Sequence, residues 1–309
     1  MIKVPAMKDF DSLYNYYKEK TLQEQVFVLI DSNEFALMID QGFLYFYEVQ
    51  SVISGFILSH FKDSQSYITM LYGDNHEIKN SLLKAYDSYM DSKGIFESLV
   101  HFFNPISLAW YPLKNIVHPC YQGVPSNHED LSIYLDNGYI RHSTQETYYL
   151  DLNSFQMPLD VFAQIEKNIL DGIEITFYNP LKHRKMIEFT NELNAPHWKK
   201  VIIENIDKPN PLPLLVALKD NDVIGFTGPL KIENNGRGYF AGIGVLETER
   251  GKKVGKTLFF MLCKTLKDMG ASYMTLFTGV DNPARHIYIS ANFNVVRRFE
   301  TMIKKYGNT

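Results

Sequence analysis

Two rhythms of apolar residues alternate along the chain. A helical spacing opens it over Phe10–Gln23, and strand-like runs follow at Val26–Ile30, Phe43–Val49, Val52–Phe61 and Ser66–Tyr72. Ile78, Leu82, Leu83, Tyr86 and Met90 then share one face of His76–Ser92, a helix that Gly94 stops. Glu97–Phe103 reads as a strand, and Asn104–Gln122 as irregular because Pro105, Pro112 and Pro119 interrupt it. Ser126–Leu135 reads as a helix opened by the capping-type run Ser126-Asn127-His128-Glu129, with Gly138 after it, and Tyr139–Leu152 as a pair of closing strands.

The order then begins again. Helix Leu159–Leu170 connects to strand Ile173–Phe177, helix Pro180–Leu193 and strands Leu214–Leu218, Val223–Ile232 and Gly238–Leu246, with turns at Asp220-Asn221-Asp222 and Asn234-Asn235-Gly236. Helix Lys252–Met269 stops at Gly270, and strand Ser272–Thr278, a short helix from Asn282 to Ala291 and strand Asn294–Lys304 close the chain. Val52-Ile53-Ser54-Gly55-Phe56 matches Val223-Ile224-Gly225-Phe226, and Ile133-Tyr134 to Tyr139 matches Ile287-Tyr288 to Phe293, in the same order. The pattern predicts two copies of one α/β unit, each a mixed, largely antiparallel sheet flanked by helices.

The length of 309 residues suits two domains of ordinary size. Twenty Tyr and 21 Phe supply the bulk for two cores. Lys+Arg 31 against Asp+Glu 35 leaves a net charge of −4, which argues against a broad nucleic-acid-binding face but leaves room for a local anion site. Two cysteines, Cys120 and Cys263, fit a reducing compartment, the opening MIKVPAMKDFD shows no secretory h-region, and apolar stretches such as Val52–Leu58 are far short of a membrane span. A soluble, cytoplasmic protein is expected.

One segment carries candidate chemistry. Glu249-Arg250-Gly251-Lys252-Lys253-Val254-Gly255-Lys256 lies between a strand and a strongly amphipathic helix. A loop feeding a helix N-terminus presents unpaired N–H groups and partial positive charge to one point. Arg250, Lys252, Lys253 and Lys256 add cations at the helix end where each is unfavourable by about 0.3–1 kcal/mol, unless an anion such as pyrophosphate sits there. The alternative is a basic turn whose cations extend into water. The spacing of Gly251 and Gly255 fits neither a Walker loop nor a dinucleotide fingerprint.

Val245 to Lys256 resembles motif A of the GNAT superfamily of acyl-CoA-dependent N-acyltransferases, a Q/R-x-x-G-x-G/A loop after the fourth strand. Arg250 and Gly255 match its ends, and Lys253 replaces the middle glycine. Asn282-Pro283-Ala284-Arg285-His286-Ile287-Tyr288-Ile289-Ser290-Ala291-Asn292-Phe293 resembles the family's motif B, with Asn292 in place of its glycine, a residue that tolerates the left-handed conformation. In the first half, Met70 to Asn80 stands where motif A belongs and carries one glycine plus Asp74 and Glu77, which repel phosphate, while motif B survives as Tyr134…Gly138-Tyr139. The resemblance thus implies a degenerate GNAT-like lobe over residues 1–152, a connecting segment over 153–172 and an acyl-CoA-binding lobe over 173–309.

It further implies an N-acetyltransferase that moves an acetyl group from acetyl-CoA, a co-substrate, to a primary amine in a ternary complex, without a metal. Pyrophosphate would rest on Arg250, Gly251, Lys252, Lys253, Val254, Gly255 and Lys256, and pantetheine would pair like a strand with Ile243, Gly244 and Val245 where the fourth and fifth strands splay apart. Asn282 would line the cofactor, and a backbone N–H near Val245 would hold the oxyanion. Tyr288 is the candidate general acid for the departing thiolate; its alternative role is a core aromatic. Glu247 and Glu249 lie beside the cleft without declaring themselves as a base.

Other patterns lead elsewhere or nowhere. His76-Glu77-Ile78-Lys79-Asn80 lacks the second histidine of a zinc protease, His118-Pro119-Cys120 has no second ligand pair, and Cys263 lies mid-helix. Trp110 and Trp198 are core aromatics or lie on the acceptor side. The acceptor is expected to be a small-molecule or peptide amine, with no nucleic acid or membrane partner. A non-catalytic acyl-CoA sensor is the alternative. An aminoacyl-tRNA-dependent transferase would need a long basic track, which a net charge of −4 disfavours.

Overall fold

The computed structural model describes residues 1–307, which divide into two compact units. The first takes Met1–Thr147, Phe277–Val280 and the chain from Val296 onward; the second takes Tyr148–Leu276 and Asp281–Val295. Both are mixed α/β with largely antiparallel sheets, as the apolar pattern predicts. The division departs from boundaries at 152 and 173 because the closing strand, Asn294–Lys305, hydrogen-bonds within the first unit: Met302 lies opposite Val100 and Lys305 opposite Glu97. Helix Leu159–Leu170 packs within the second unit instead of serving only as a connector, with Val161 fully buried and Asn168 Nδ2 donating to Thr257 Oγ1 at 3.1 Å.

In the first unit Phe43–Val49, Val52–Lys62 and Gln65–Gly73 form an antiparallel meander. Residues Ile53–His60 are buried without alternation because helices cover both faces. Helix His76–Ser92 brings Leu82, Tyr86 and Met90 to one face, and helices Phe10–Glu24 and Ser32–Gln41 bring Leu13, Tyr17 and Phe35 to the other. Glu97–Val100 then joins in parallel, but its pairing spans only Gln65–Tyr67 with Glu97–Leu99, and the chains part beyond.

Several predicted boundaries shift. Val26–Ile30 forms one bridge, Phe27 to Trp110, rather than a strand. Helix Ser32–Gln41, unmarked by strong periodicity, starts at Asp31, whose carboxylate accepts from Asn33 N and Glu34 N at 2.9 Å. Asn104–Gln122 holds a small hairpin, Trp110–Leu113 with Ile116–His118, and the next helix begins at Asp130 rather than Ser126. Ile140–Asp151 is one strand, not two.

In the second unit Ile173–Phe177, Leu215–Lys219, Asp222–Thr227 and Ile243–Val245 form an antiparallel sheet in that order. Asp220 and Asn221 take φ of 52° and 67°, the left-handed pair of a tight hairpin. The expected strand Gly238–Leu246 is broken: Arg237–Gly238 pairs in parallel with Tyr273–Gly279, while Ile243–Val245 pairs with Asp222–Thr227. Gly242, at φ 150°, makes the break under Trp198, whose ring leaves no room for a Cβ. Pro180–Leu193 shortens to Met186–Glu192, and a helix with proline in its first turn, Pro196–Ile206, follows. Helix Val254–Asp268 forms the centre of the core through Leu258, Phe259, Leu262, Cys263 and Leu266, all fully buried. No helix among the described residues is long and apolar enough to cross a membrane.

Candidate active site

A gap opens in the second unit where strand pairing stops. Ile243–Val245 is the last strand of its sheet, and Tyr273–Gly279 belongs to the ladder with Arg237–Gly238, so the two are not bonded to each other. Leu246 N donates to Ile224 O at 2.9 Å. By the alternation of a strand, the N–H and C=O of Ile243 and Val245 therefore point away from that neighbour, toward the open edge. Their side chains line a cleft of about 470 Å³. Gly244 faces the opposite side, where a Cβ would stand 3.0 Å from Leu193 and 3.1 Å from Phe226.

The far end of the cleft is the start of helix Val254–Asp268. Lys253 sits at its N-cap in the left-handed conformation, φ 60° and ψ 17°, and no side chain caps the helix. Thr257 N bonds back to Lys253 O at 3.1 Å, which leaves the N–H groups of Val254, Gly255 and Lys256 without a hydrogen-bond acceptor among the described residues. Gly255 lies between the walls: a Cβ there would stand 3.7 Å from Val245 Cγ2 and 3.8 Å from Ile287 Cδ1. Arg250, Gly251, Lys253 and Lys256 complete this end.

The cations differ in how they are held. Arg250, 66 % exposed, is 3.4 Å from Glu247, and Lys256 is 2.9 Å from Asp160, whose carboxyl it holds below the ordinary range, chiefly by hydrogen bonding. Lys253 has no ion-pair partner among the described residues. Lys252 turns from the cleft to Glu249, at 2.5 Å. Glu249 is buried and also meets Lys219 at 3.3 Å; the hydrogen bond from Lys252 first, then that from Lys219, keeps its carboxyl below its usual pKa. A carboxylate so held is a weak base, and its work here is to tie the loop to the sheet.

Motif B supplies the remaining wall through Pro283, Ala284 and Ile287, residues that the sequence reading passed over. The i, i+3 relation of Ala284 and Ile287 within the quoted motif was the available signal. Neither Asn282 nor Tyr288 is among the residues that line the cleft; Asn282 Oδ1 accepts from Ala284 N at 3.0 Å and shapes the turn into the helix. Asn292 adopts φ 64°, the conformation expected of it. Tyr288 is 5 % exposed among Tyr148, Phe240, Phe259 and Phe293, and burial, with a smaller push from Tyr148, raises its phenol well above the ordinary value. Trp198 donates to Ala241 O at 3.2 Å, and Trp110 is a fully buried core residue of the first unit.

The matching helix start in the first unit is closed. Asn75 Oδ1 accepts from Ile78 N at 2.9 Å and caps helix His76–Ser92 from within. Asp74 is occupied by Lys20 at 2.8 Å and by the Tyr16 hydroxyl at 3.0 Å.

Comparison with known proteins agrees with this geometry. Residues 178–293 match the model of the acetyltransferase (GNAT) family, so the chain carries a GNAT-family domain there. No curated protein matches the sequence. Among solved structures, the chain is similar in fold to the GCN5-related glucosamine N-acetyltransferase region of a fungal multi-domain GH3 β-N-acetylglucosaminidase, with TM-score 0.69 and 15 % identity; the match covers 98 % of this chain but only 38 % of that one. A GCN5-related N-acetyltransferase from Sphaerobacter thermophilus aligns with TM-score 0.63 and 12 % identity over 99 % of this chain and 95 % of that one. A tandem GNAT protein from the clavulanic acid biosynthesis pathway aligns with TM-score 0.59 and 10 % identity over 100 % and 99 %. The chain therefore has the tandem GNAT fold.

Proposed function

We propose that the second unit is an N-acetyltransferase that uses acetyl-CoA to acylate a primary amine directly, without a covalent enzyme intermediate. The observation that carries this reading is the uncapped start of helix Val254–Asp268 at the end of the cleft, with free N–H groups and cations, against the internally capped start of His76–Ser92. The residues present fit the co-substrate: N–H groups of Val254, Gly255 and Lys256 with Arg250 and Lys253 suit a pyrophosphate, and Gly255 leaves the walls apart. The open edges of Ile243 and Val245 suit an amide-bearing arm that adds as a strand.

Acetyl-CoA supplies an activated thioester, and the protein's own groups do the rest. The Val245 N–H stabilises negative charge on the carbonyl oxygen as the amine nitrogen bonds to the acyl carbon. The carbon–sulfur bond then breaks, the nitrogen gives up a proton to water, and the thiolate takes one. Tyr288, protonated at any physiological pH and re-protonated afterwards from the water that took the amine's proton, is the donor assigned to that last step, its hydroxyl having no other hydrogen-bond partner among the described residues. Its packed position also suits the second reading, an acyl-CoA sensor with no acceptor chemistry.

Thiol release from acetyl-CoA across a panel of primary amines separates the two. At least one amine should be acylated, and Tyr288→Phe should lower kcat while leaving KM for acetyl-CoA within about twofold. No turnover with any amine, or a Tyr288→Phe variant altered only in stability, favours the sensor.

A further inference from the structure

Three polar residues at a spacing of four, Asp160, Gln164 and Asn168, share one face of helix Leu159–Leu170. Each reaches the start of helix Val254–Asp268 or the loop before it. Asn168 Nδ2 donates to Thr257 Oγ1 at 3.1 Å, Gln164 Nε2 donates to Lys252 O at 3.4 Å, and the Asp160 carboxylate accepts from Lys256 Nζ at 2.9 Å. The two ends of this row differ. Asn168 and Thr257 are buried, so their contact fixes the two helices against each other. The side chain of Asp160 is 68 % exposed and that of Lys256 26 %. An ion pair so placed is held weakly and exchanges readily.

Neither partner depends on the other for its place. Asp160 lies in the first turn of its own helix, where the dipole favours a carboxylate, and its own backbone N–H also binds the ionised form. Lys256 lies over the Phe260 ring, 5.5 Å from the centroid, through the i, i+4 relation. Lys256 also lines the cleft, beside Arg250 and Lys253. Arg250 pairs only with its near neighbour Glu247, at 3.4 Å and well exposed, and Lys253 has no ion-pair partner among the described residues. Among the described residues, then, Lys256 is the cleft cation whose charge is offset by a carboxylate from a different element. A phosphate competes with that carboxylate for the ammonium, and the two anions repel each other.

We propose that Asp160 sets the affinity of the cleft for CoA, holding Lys256 as a counter-charge from which the pyrophosphate must take the ammonium. This rests on the reading of the cleft as the CoA site. Asp160 is a positioning residue that acts through Lys256 and touches no reacting atom. Its effect falls on acetyl-CoA and on product CoA alike, since both carry the pyrophosphate.

The test is calorimetric titration of the full chain with CoA and with 3′-dephospho-CoA, which keeps the pyrophosphate. Asp160→Asn removes the charge at an exposed position and should bind both ligands about three- to tenfold more tightly than the wild type. Lys256→Gln should bind CoA more weakly than the wild type, and adding Asp160→Asn to it should change that affinity by less than about twofold. Melting curves check that all three variants fold. Unchanged or weaker binding by Asp160→Asn, a gain with CoA but not with 3′-dephospho-CoA, or an equal gain in the Lys256→Gln background would each overturn the proposal while leaving the cleft a CoA site. No CoA binding by the wild type and Asp160→Asn alike would overturn the reading beneath it, and the proposal with it.

Discussion

Glu249 shows how a single charge can hold a loop without taking part in chemistry. Its carboxyl lies below the ordinary value of 4.5 in the folded chain because Lys252 and Lys219 bind its ionised form. The stabilisation is therefore complete above about pH 4.5 and is lost as pH falls through the lower folded value. Melting temperature measured from pH 7 down to 3 should drop more steeply for the wild type than for Glu249→Gln; parallel curves would place the pair's contribution at nothing. Lys253 poses the opposite case, a bulky residue at φ 60° where glycine is free of strain. Lys253→Gly should change unfolding free energy by less than about 1 kcal/mol, since relief of strain offsets the entropy that glycine loses. The sequence showed the replaced glycine but not the Glu249 clamp, because Lys219 lies 30 residues away on another strand.

At the scale of elements, two helices of like placement begin differently, and the difference is measurable. Asn75→Ala removes the cap of His76–Ser92 and should cost about 1 kcal/mol in urea unfolding, with no effect on CoA binding. Phe259→Ala, at the fully buried centre of the aromatic cluster with Phe240, Tyr288 and Phe293, should cost about 3–5 kcal/mol. A loss below about 1 kcal/mol would mean the cluster repacks freely. The long helices His76–Ser92 and Leu159–Leu170 were legible to the residue, because many apolar positions agree on one period, and the short strand Ile173–Phe177 through the alternation of Ile173, Ile175 and Phe177. Ser32–Gln41 and Pro196–Ile206 were not: their starts rest on a local cap and a proline rather than on a long stripe. Gly238–Leu246 read as one strand because its apolar run is continuous, whereas Gly242 under Trp198 divides it between two ladders.

For the whole molecule, the repeat of Ile-Tyr and Gly-Phe patterns announced two like units, and the tandem GNAT fold bears that out. Where the closing strand pairs was invisible, since alternation marks a strand and not its neighbour; Met302 opposite Val100 is a long-range choice made by packing. The same limit applies to function. Motif A located the cleft, but only the fold shows that the helix start beside Lys253 is uncapped and its counterpart at Asn75 closed. The central claim is that the cleft between Val245 and Ile287, ending at Val254–Lys256, receives CoA. Its most direct test is calorimetric titration of CoA into the full chain and into Gly255→Val, whose added side chain grows into the gap between those two walls. The wild type should bind at a single site and Gly255→Val, folded by its melting curve, should show at least about a tenfold loss of affinity. Equal binding by both proteins, or none by the wild type, would contradict it.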